Sequence, residues 1–182
     1  PLMYPWYVGG LGYLASRRFE QGVTVRGVFR LWGIFILVNY ALELPGLLTH
    51  VYTYYGKQPF NLWGHPLWWG GANAFTALVS GALVYGIKRF LGEGWKLAGV
   101  VPVMFFCEGL SNAGAGWPMY ATLNDSSLGY LWTYGACFVT IGLLVYGVWV
   151  IGKLVAAPGT AADLAPYSSS APPQPRVRGN SE

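Results

Sequence analysis

Charged side chains are scarce in this sequence: Asp, Glu, Lys and Arg fill only 10% of its 182 positions. A soluble domain usually has about 25%. The sequence also lacks a glycine-rich phosphate-binding loop, a basic stripe and the spacing of a zinc site, so we expect no nucleic-acid partner, no cofactor and no metal. The two cysteines lie inside apolar segments, and they predict neither a disulfide framework nor a metal motif.

Apolar and aromatic residues dominate instead. Hydrophobic residues make up 54% of the chain, which has nine Trp, thirteen Tyr and 26 Gly. Enrichment in Trp, Tyr and Gly is typical of membrane spans and their interfaces. The composition therefore predicts an all-α, polytopic transmembrane helix bundle that lies in the lipid bilayer of a cell membrane.

Four long apolar runs predict full membrane spans, and a shorter run predicts a partial one, since a spanning helix needs about 20 residues. The full spans are expected at about 27–49, 66–87, 97–114 and 129–151, and the partial span at 1–16. The chain starts with Pro, so we expect residues 1–16 to end a helix whose beginning is missing. Residues 1–153 then form the membrane domain. The remainder, 154–182, is rich in Pro, Ser and Ala and predicts a disordered tail.

Basic residues predict the orientation of the bundle. Ten of the eleven Lys and Arg residues flank the connection before 27, the connection after 87 or the tail, and the other two connections contain only Lys57. Because cytoplasmic loops carry an excess of Lys and Arg, we expect these three regions, the tail included, to be cytoplasmic.

Three predicted spans carry a strongly polar residue at a similar depth. At about 1.5 Å per residue, Glu43, Asn73 and Glu108 each lie roughly 10 Å below the outer end of their helix. Ionisable groups inside the membrane are costly and are a functional-site hypothesis by default. An open alternative is that each carboxylate only hydrogen-bonds one helix to another.

The spacing places further polar residues on the same faces. Asn39 precedes Glu43 by four residues, and Glu108 precedes Asn112 by four, so each pair shares a helix face. Pro45 is expected to bend its helix just after Glu43 and to open a cleft. We predict that the following residues bind substrate: Asn39, His50, Tyr55, His65, Trp69, Asn73, Asn112 and Tyr134.

Two carboxyl groups in one low-dielectric cleft are not expected to be ionised together without a cation. We therefore predict that Glu43 and Glu108 are catalytic, one as an acid and the other as a base. The aromatic loop between them and the outer surface is expected to form an interfacial belt, although an aromatic mouth would also suit an apolar, polyketide-like small molecule.

Four strings of residues resemble the AveC-type spirocyclase family of actinobacterial membrane proteins. They are A-L-E-L-P at 41–45, Y-T-Y-Y-G-K-Q-P-F at 52–60, H-P-L-W-W-G-G-A-N-A at 65–74 and A-G-A-G-W-P-M-Y-A-T-L-N at 113–124. The resemblance covers about 27–151 and leaves out the tail. It implies a bacterial enzyme of secondary metabolism that closes a spiroketal on a polyketide, with dehydration as a related activity, and that this chain is the C-terminal portion of a longer protein. It supplies no catalytic residues, so the site rests on the depth argument.

Two other functions stay open. A small carrier or binding protein could use Glu43 and Glu108 to handle protons or a hydroxylated ligand, and it would need a polar path toward the cytoplasmic side. The inner halves of the spans are apolar, which favours a pocket. An assembly subunit could instead pair both carboxylates with charges of a partner protein.

Overall fold

The computed structural model describes residues 3–91 and 98–156. Within these ranges the chain folds into six α-helices, one π-helical segment and a two-stranded hairpin. The helices are α1 (Met3–Glu20), α2 (Val25–Leu48), α3 (Leu67–Leu91), α4 (Val100–Gly109), α5 (Trp117–Leu123) and α6 (Tyr130–Val155). The π-helical segment is Leu110–Ala115, and the antiparallel strands are β1 (Asn61–Leu62) and β2 (His65–Pro66).

The helical class that the composition predicts is confirmed. Three helices are long and apolar enough to cross a membrane, namely Val25–Leu48, Leu67–Lys88 and Tyr130–Val155. They correspond to three of the four predicted full spans, and each end lies within one to four residues of its predicted position. Thr24 sets the start of α2, because its hydroxyl accepts a hydrogen bond from the Gly27 amide at 3.1 Å.

The predicted number of spans, four full and one partial, is not confirmed. The span predicted at 97–114 is a shorter apolar helical stretch, Val100–Ala115, in which α4 continues into the π-helical segment; residue 97 lies outside the described residues. The predicted partial span is the 18-residue helix α1, which continues to Glu20. Helix α6 runs to Val155, and most of the predicted tail, residues 157–182, lies outside the described part of the chain.

Helix α3 packs closely against α1 because small residues face each other. A Cβ atom at Gly81 would lie 2.5 Å from the Cβ of Ala15 and 2.8 Å from the carbonyl oxygen of Gly12. A Cβ at Gly12 would in turn lie 2.3 Å from the hydroxyl of Ser80. Small residues of this kind let the backbones of membrane helices approach one another. The close approach fixes the position of α3 beside α1.

Helix α6 covers another side of α3 and also packs on α2. Gly147 leaves room for the ring of Phe75, and Gly152 lies against Val25. The backbone of Val23 pairs with that of Ala156, so the start of α2 lies beside the end of α6. Helix α3 thereby contacts α1, α2, α4 and α6, and it carries the polar residues described below.

The ends of α1 and α3 meet at a group of charges. Arg17 and Lys88 both pair with the carboxylate of Glu20. Two of the three regions that the basic residues mark as cytoplasmic therefore lie at the same end of the bundle. Which side of a membrane this end faces stays a prediction.

Gly81→Ala tests the close packing of α1 on α3. The added methyl group has no space, so we expect a loss of about 1–3 kcal/mol in the free energy of unfolding. The control is Gly86→Ala in the same helix, where an added Cβ meets no atom within 4 Å. This control should be neutral or slightly stabilising, since Ala favours helix by up to about 1 kcal/mol over Gly. Thermal unfolding in detergent measures both, and equal midpoints for the two variants would contradict the packing.

Candidate active site

A loop of residues 49–66 connects α2 to α3 and ends in the hairpin. Trp63 and Gly64 connect the strands with φ of 51° and 88°, the left-handed geometry of a tight hairpin turn. His50 and Phe60 also have positive φ, of 55° and 49°. Side-chain-bearing residues rarely adopt this conformation, and such strain clusters at functional sites.

The loop is embedded in the bundle. Phe60 packs edge-on against Tyr134 and Phe138, whose ring centroids lie 5.0 and 5.5 Å away and which are one and two turns inside the start of α6. His65 is completely buried. The sequence places the start of α3 near the outer surface, but Gly71 already packs against Leu144, about 20 Å along α6 from its first residue. Non-helical backbone is tolerated at such depth where protein surrounds it.

Four side chains donate hydrogen bonds to the carboxylate of Glu43. Asn39 and Asn73 bind Oε1 through their amide Nδ2 atoms at 2.7 and 3.0 Å. Tyr52 binds Oε2 at 3.1 Å, and the hydroxyl of Tyr54 binds the same oxygen. This set joins α2, the loop and α3 at one carboxylate, which offers about four acceptor positions.

Tyr52 and Tyr54 are two site residues that the sequence did not predict, because it assigned the loop aromatics to an interfacial belt. Burial, helped by the nearby carboxylate of Glu43, raises the pKa of Tyr52 to about 12, so its hydroxyl keeps its proton and donates. A Cβ at Gly46 would lie 2.7 Å from Cε1 of Tyr52. The ring thus packs beside Pro45, where the sequence predicts a cleft.

His65 completes this group. Its Nδ1 lies 3.0 Å from the Pro66 carbonyl oxygen, which can only accept, so the ring carries a hydrogen there. Its Nε2 lies 3.2 Å from Oδ1 of Asn39 and 3.7 Å from Oε2 of Glu43. Tyr40 stacks on the ring with centroids 4.1 Å apart. Burial lowers the pKa of His65, and the carboxylate of Glu43 opposes this shift.

The atoms around His65 define where a proton can be held. An imidazolium would donate from Nε2 to Oδ1 of Asn39 and would have the carboxylate of Glu43 beside it, with Oε2 3.7 Å from Nε2. A neutral ring would require the Asn39 amide to turn over, so that its Nδ2 donates to Nε2 of His65. The hydrogen bonds around Asn39 therefore depend on the protonation state of His65.

Glu108 is the centre of a second network. Asn112 donates to Oε1 at 2.7 Å, and Thr76 lies 3.3 Å from Oε2. Tyr120 donates to Oδ1 of Asn112 at 2.6 Å, and burial raises the pKa of Tyr120, so it remains a donor. Asn112 lies in the π-helical segment, a feature that often occurs at functional sites. Thr76 and Tyr120 were not among the predicted site residues.

The two networks meet on α3. Asn73 and Thr76 are three residues apart, so they lie on one face of the helix, about 4.5 Å apart along its axis. Trp69 continues this face, and its ring lies 5.5 Å from that of Tyr54 and 6.2 Å from that of Tyr120. The predicted site residues that the fold gathers here are Asn39, Glu43, His65, Trp69, Asn73, Glu108 and Asn112.

Three predicted residues lie away from both carboxylates in the described contacts. His50 and Tyr55 are exposed, the latter to 56%. Tyr134 is on the outer part of α6 and packs on Phe60. Asp125 accepts hydrogen bonds from the amide and hydroxyl of Ser127, as a turn residue does.

A groove of about 910 Å³ runs between α1, α3 and α4. Glu108 lies in its wall, and apolar side chains such as Tyr13, Met104 and Phe105 form most of its surface. Arg17, Glu20 and Lys88 line its other end. Among the described residues, Glu43 is not part of the lining. Of the two carboxyl groups that the sequence predicts to be catalytic, a molecule in this groove would therefore meet that of Glu108.

Comparisons of the chain with protein-family models, with curated proteins and with solved structures found no match. The interpretation of the site therefore rests on its geometry, and the resemblance to spirocyclases stays an expectation.

Tyr54→Phe tests whether Glu43 holds the loop in place. The variant keeps the ring and removes one donor, so we expect local opening of the loop to become about fivefold more frequent, which corresponds to about 1 kcal/mol. Trypsin cleavage after Lys57 measures this opening. Tyr55→Phe is the matched control, because that side chain is exposed. Equal cleavage rates in the two variants would contradict the anchoring role of Glu43.

Proposed function

We propose that this protein is a membrane-embedded cyclase that closes a spiroketal-type ring on an apolar, hydroxylated polyketide-like or lipid substrate. The observation that carries the proposal is the groove with the carboxyl group of Glu108 in its wall. Its volume lies within the range of about 300–1,000 Å³ that is usual for small-molecule sites, and its lining suits an apolar molecule. The resemblance to spirocyclases in the segments around Glu43 and Asn112 agrees with this assignment.

The reaction needs only proton transfers at Glu108. It joins two hydroxyl groups of one molecule to a ketone of the same molecule and releases one water. Glu108 gives its proton to the ketone oxygen as the first hydroxyl adds, and its carboxylate takes the proton that this hydroxyl loses, which gives a hemiketal. Glu108 then protonates the hemiketal hydroxyl, which leaves as water. The second hydroxyl adds to the oxocarbenium carbon and returns its proton to Glu108.

The neighbours of Glu108 suit this role. Asn112 and Thr76 each contact one carboxyl oxygen, which fixes the group relative to the groove. The apolar walls exclude water and would hold the reacting hydroxyls near the ketone. Glu43 contacts the same face of α3 through Asn73, and its catalytic role as the second carboxyl group stays a prediction.

A carrier for an apolar hydroxylated ligand is the second candidate, and one observation favours it. The groove reaches the charged end of α1 and α3, which the basic residues predict to be cytoplasmic. The sequence alone favours a pocket without a path toward that side. A carrier would move its ligand unchanged, whereas a cyclase would release one water from it.

A metabolite comparison separates the two functions. A strain without the gene would be complemented with the native chain, with Glu108→Gln, or with Asp125→Asn as an exposed carboxyl control. We expect Glu108→Gln to reduce the cyclised product at least tenfold and to accumulate the open-chain hydroxyketone, because the amide cannot transfer the proton. Asp125→Asn should restore the product. Identical products in all three strains, with changed uptake in Glu108→Gln, would overturn the cyclase in favour of the carrier.

A further inference from the structure

The groove has a charged mouth as well as an apolar body. Arg17 and Lys88 line it together with Glu20, and both cations pair with that one carboxylate. The side chains of Arg17 and Lys88 are 52% and 57% exposed. Among the described residues that line it, the mouth therefore has an excess of one positive charge that water can reach, directly beside an apolar surface.

An anionic group can replace Glu20 at this mouth at low cost. Exposed ion pairs contribute little to stability, so the two cations can turn from Glu20 toward a ligand. The close-packed small residues of α1 and α3 do not depend on the ion pairs. Charge complementarity thus favours a ligand whose apolar body ends in an anion.

The structure also sets a distance between this anion and the reactive group. Lys88 and Thr76 lie on α3 about twelve residues apart, which corresponds to about 18 Å along the helix. Thr76 contacts Oε2 of Glu108. A molecule bound at both places would need its head group and its reacting oxygen roughly 18 Å apart.

We propose that the groove binds a long-chain amphiphile, whose anionic head group lies at Arg17 and Lys88 and whose oxygen-bearing carbon lies at Glu108. The head group is a carboxylate or a phosphate, as in a free polyketide or fatty acid or in a lipid. This inference deepens the proposed function, since it names the substrate class of the same site. It is tested by binding, without turnover.

The test measures binding of radiolabelled hexadecanoate to the purified protein in nanodiscs of phosphatidylcholine. Unlabelled hexadecanoate, hexadecyl phosphate and hexadecanol serve as competitors of equal chain length. Lys88→Gln removes a cation of the mouth, and Glu20→Gln removes the competing anion. Lys153→Gln is the control, because Lys153 lies near Trp149 at the end of α6 and does not line the groove.

We expect Lys88→Gln to weaken hexadecanoate binding about threefold to fivefold and Glu20→Gln to tighten it by a similar factor, while Lys153→Gln leaves it unchanged. Added salt should weaken binding to the native protein. Stronger competition by the carboxylate than by the phosphate would assign the site to free acids, and the reverse order to phosphorylated lipids; either supports the anionic class.

The inference is overturned if hexadecanol competes as well as hexadecanoate, or if Lys153→Gln weakens binding as much as Lys88→Gln. The second result would mean that any positive charge near the membrane surface is enough to promote hexadecanoate binding. If Lys88→Gln does not fold, Glu20→Gln still tests the inference, because it is expected to tighten hexadecanoate binding. Loss of product in Glu108→Gln without any head-group effect would refute this inference alone. If the Lys88 and Glu20 variants change hexadecanoate binding as expected but Glu108→Gln still forms the cyclised product, the cyclase function alone is refuted.

Discussion

A carboxylate inside an apolar helix bundle must find hydrogen-bond donors, and this constraint organises the molecule. Helix α3 supplies Asn73 to Glu43 and Thr76 to Glu108 from one face. The close packing of α1, through Gly12 and Gly81, fixes the position of α3 in the bundle. An unpaired buried charge is costly, so each carboxylate needs donors from α3. The pairing holds α2, through Glu43, and α4, through Glu108, against α3.

The two carboxylates have different surroundings. Glu43 accepts hydrogen bonds from four donors, two of them in the loop, and lies beside the buried ring of His65. Glu108 accepts hydrogen bonds from Asn112 and Thr76 and borders an apolar groove. Trp69 contacts Tyr54 beside one carboxylate and Tyr120 beside the other, and of the two carboxylates only Glu108 lines the groove.

Local spacing made part of this arrangement predictable. The i, i+4 pairs Asn39–Glu43 and Glu108–Asn112 both form hydrogen bonds of 2.7 Å, because helix geometry alone brings such residues together. The roles of Tyr52 and Tyr54 depend on a strained loop conformation, and no residue pattern in 49–66 specifies that conformation. Chain order likewise gives helix lengths but not how deeply one helix starts beside another. The depth of the loop and the presence of the groove depend on how the helices pack, so the sequence did not predict them.

The central claim is that Glu108 is the reactive carboxyl group of the groove and that Glu43 is held by its donors. Labelling with a hydrophobic carbodiimide, followed by peptide mass mapping, tests it directly, because the reagent modifies protonated carboxyl groups that it can reach from an apolar phase. We predict rapid modification of Glu108 and slow modification of Glu43. Modification of Glu43 first, with Glu108 left intact, would contradict the account.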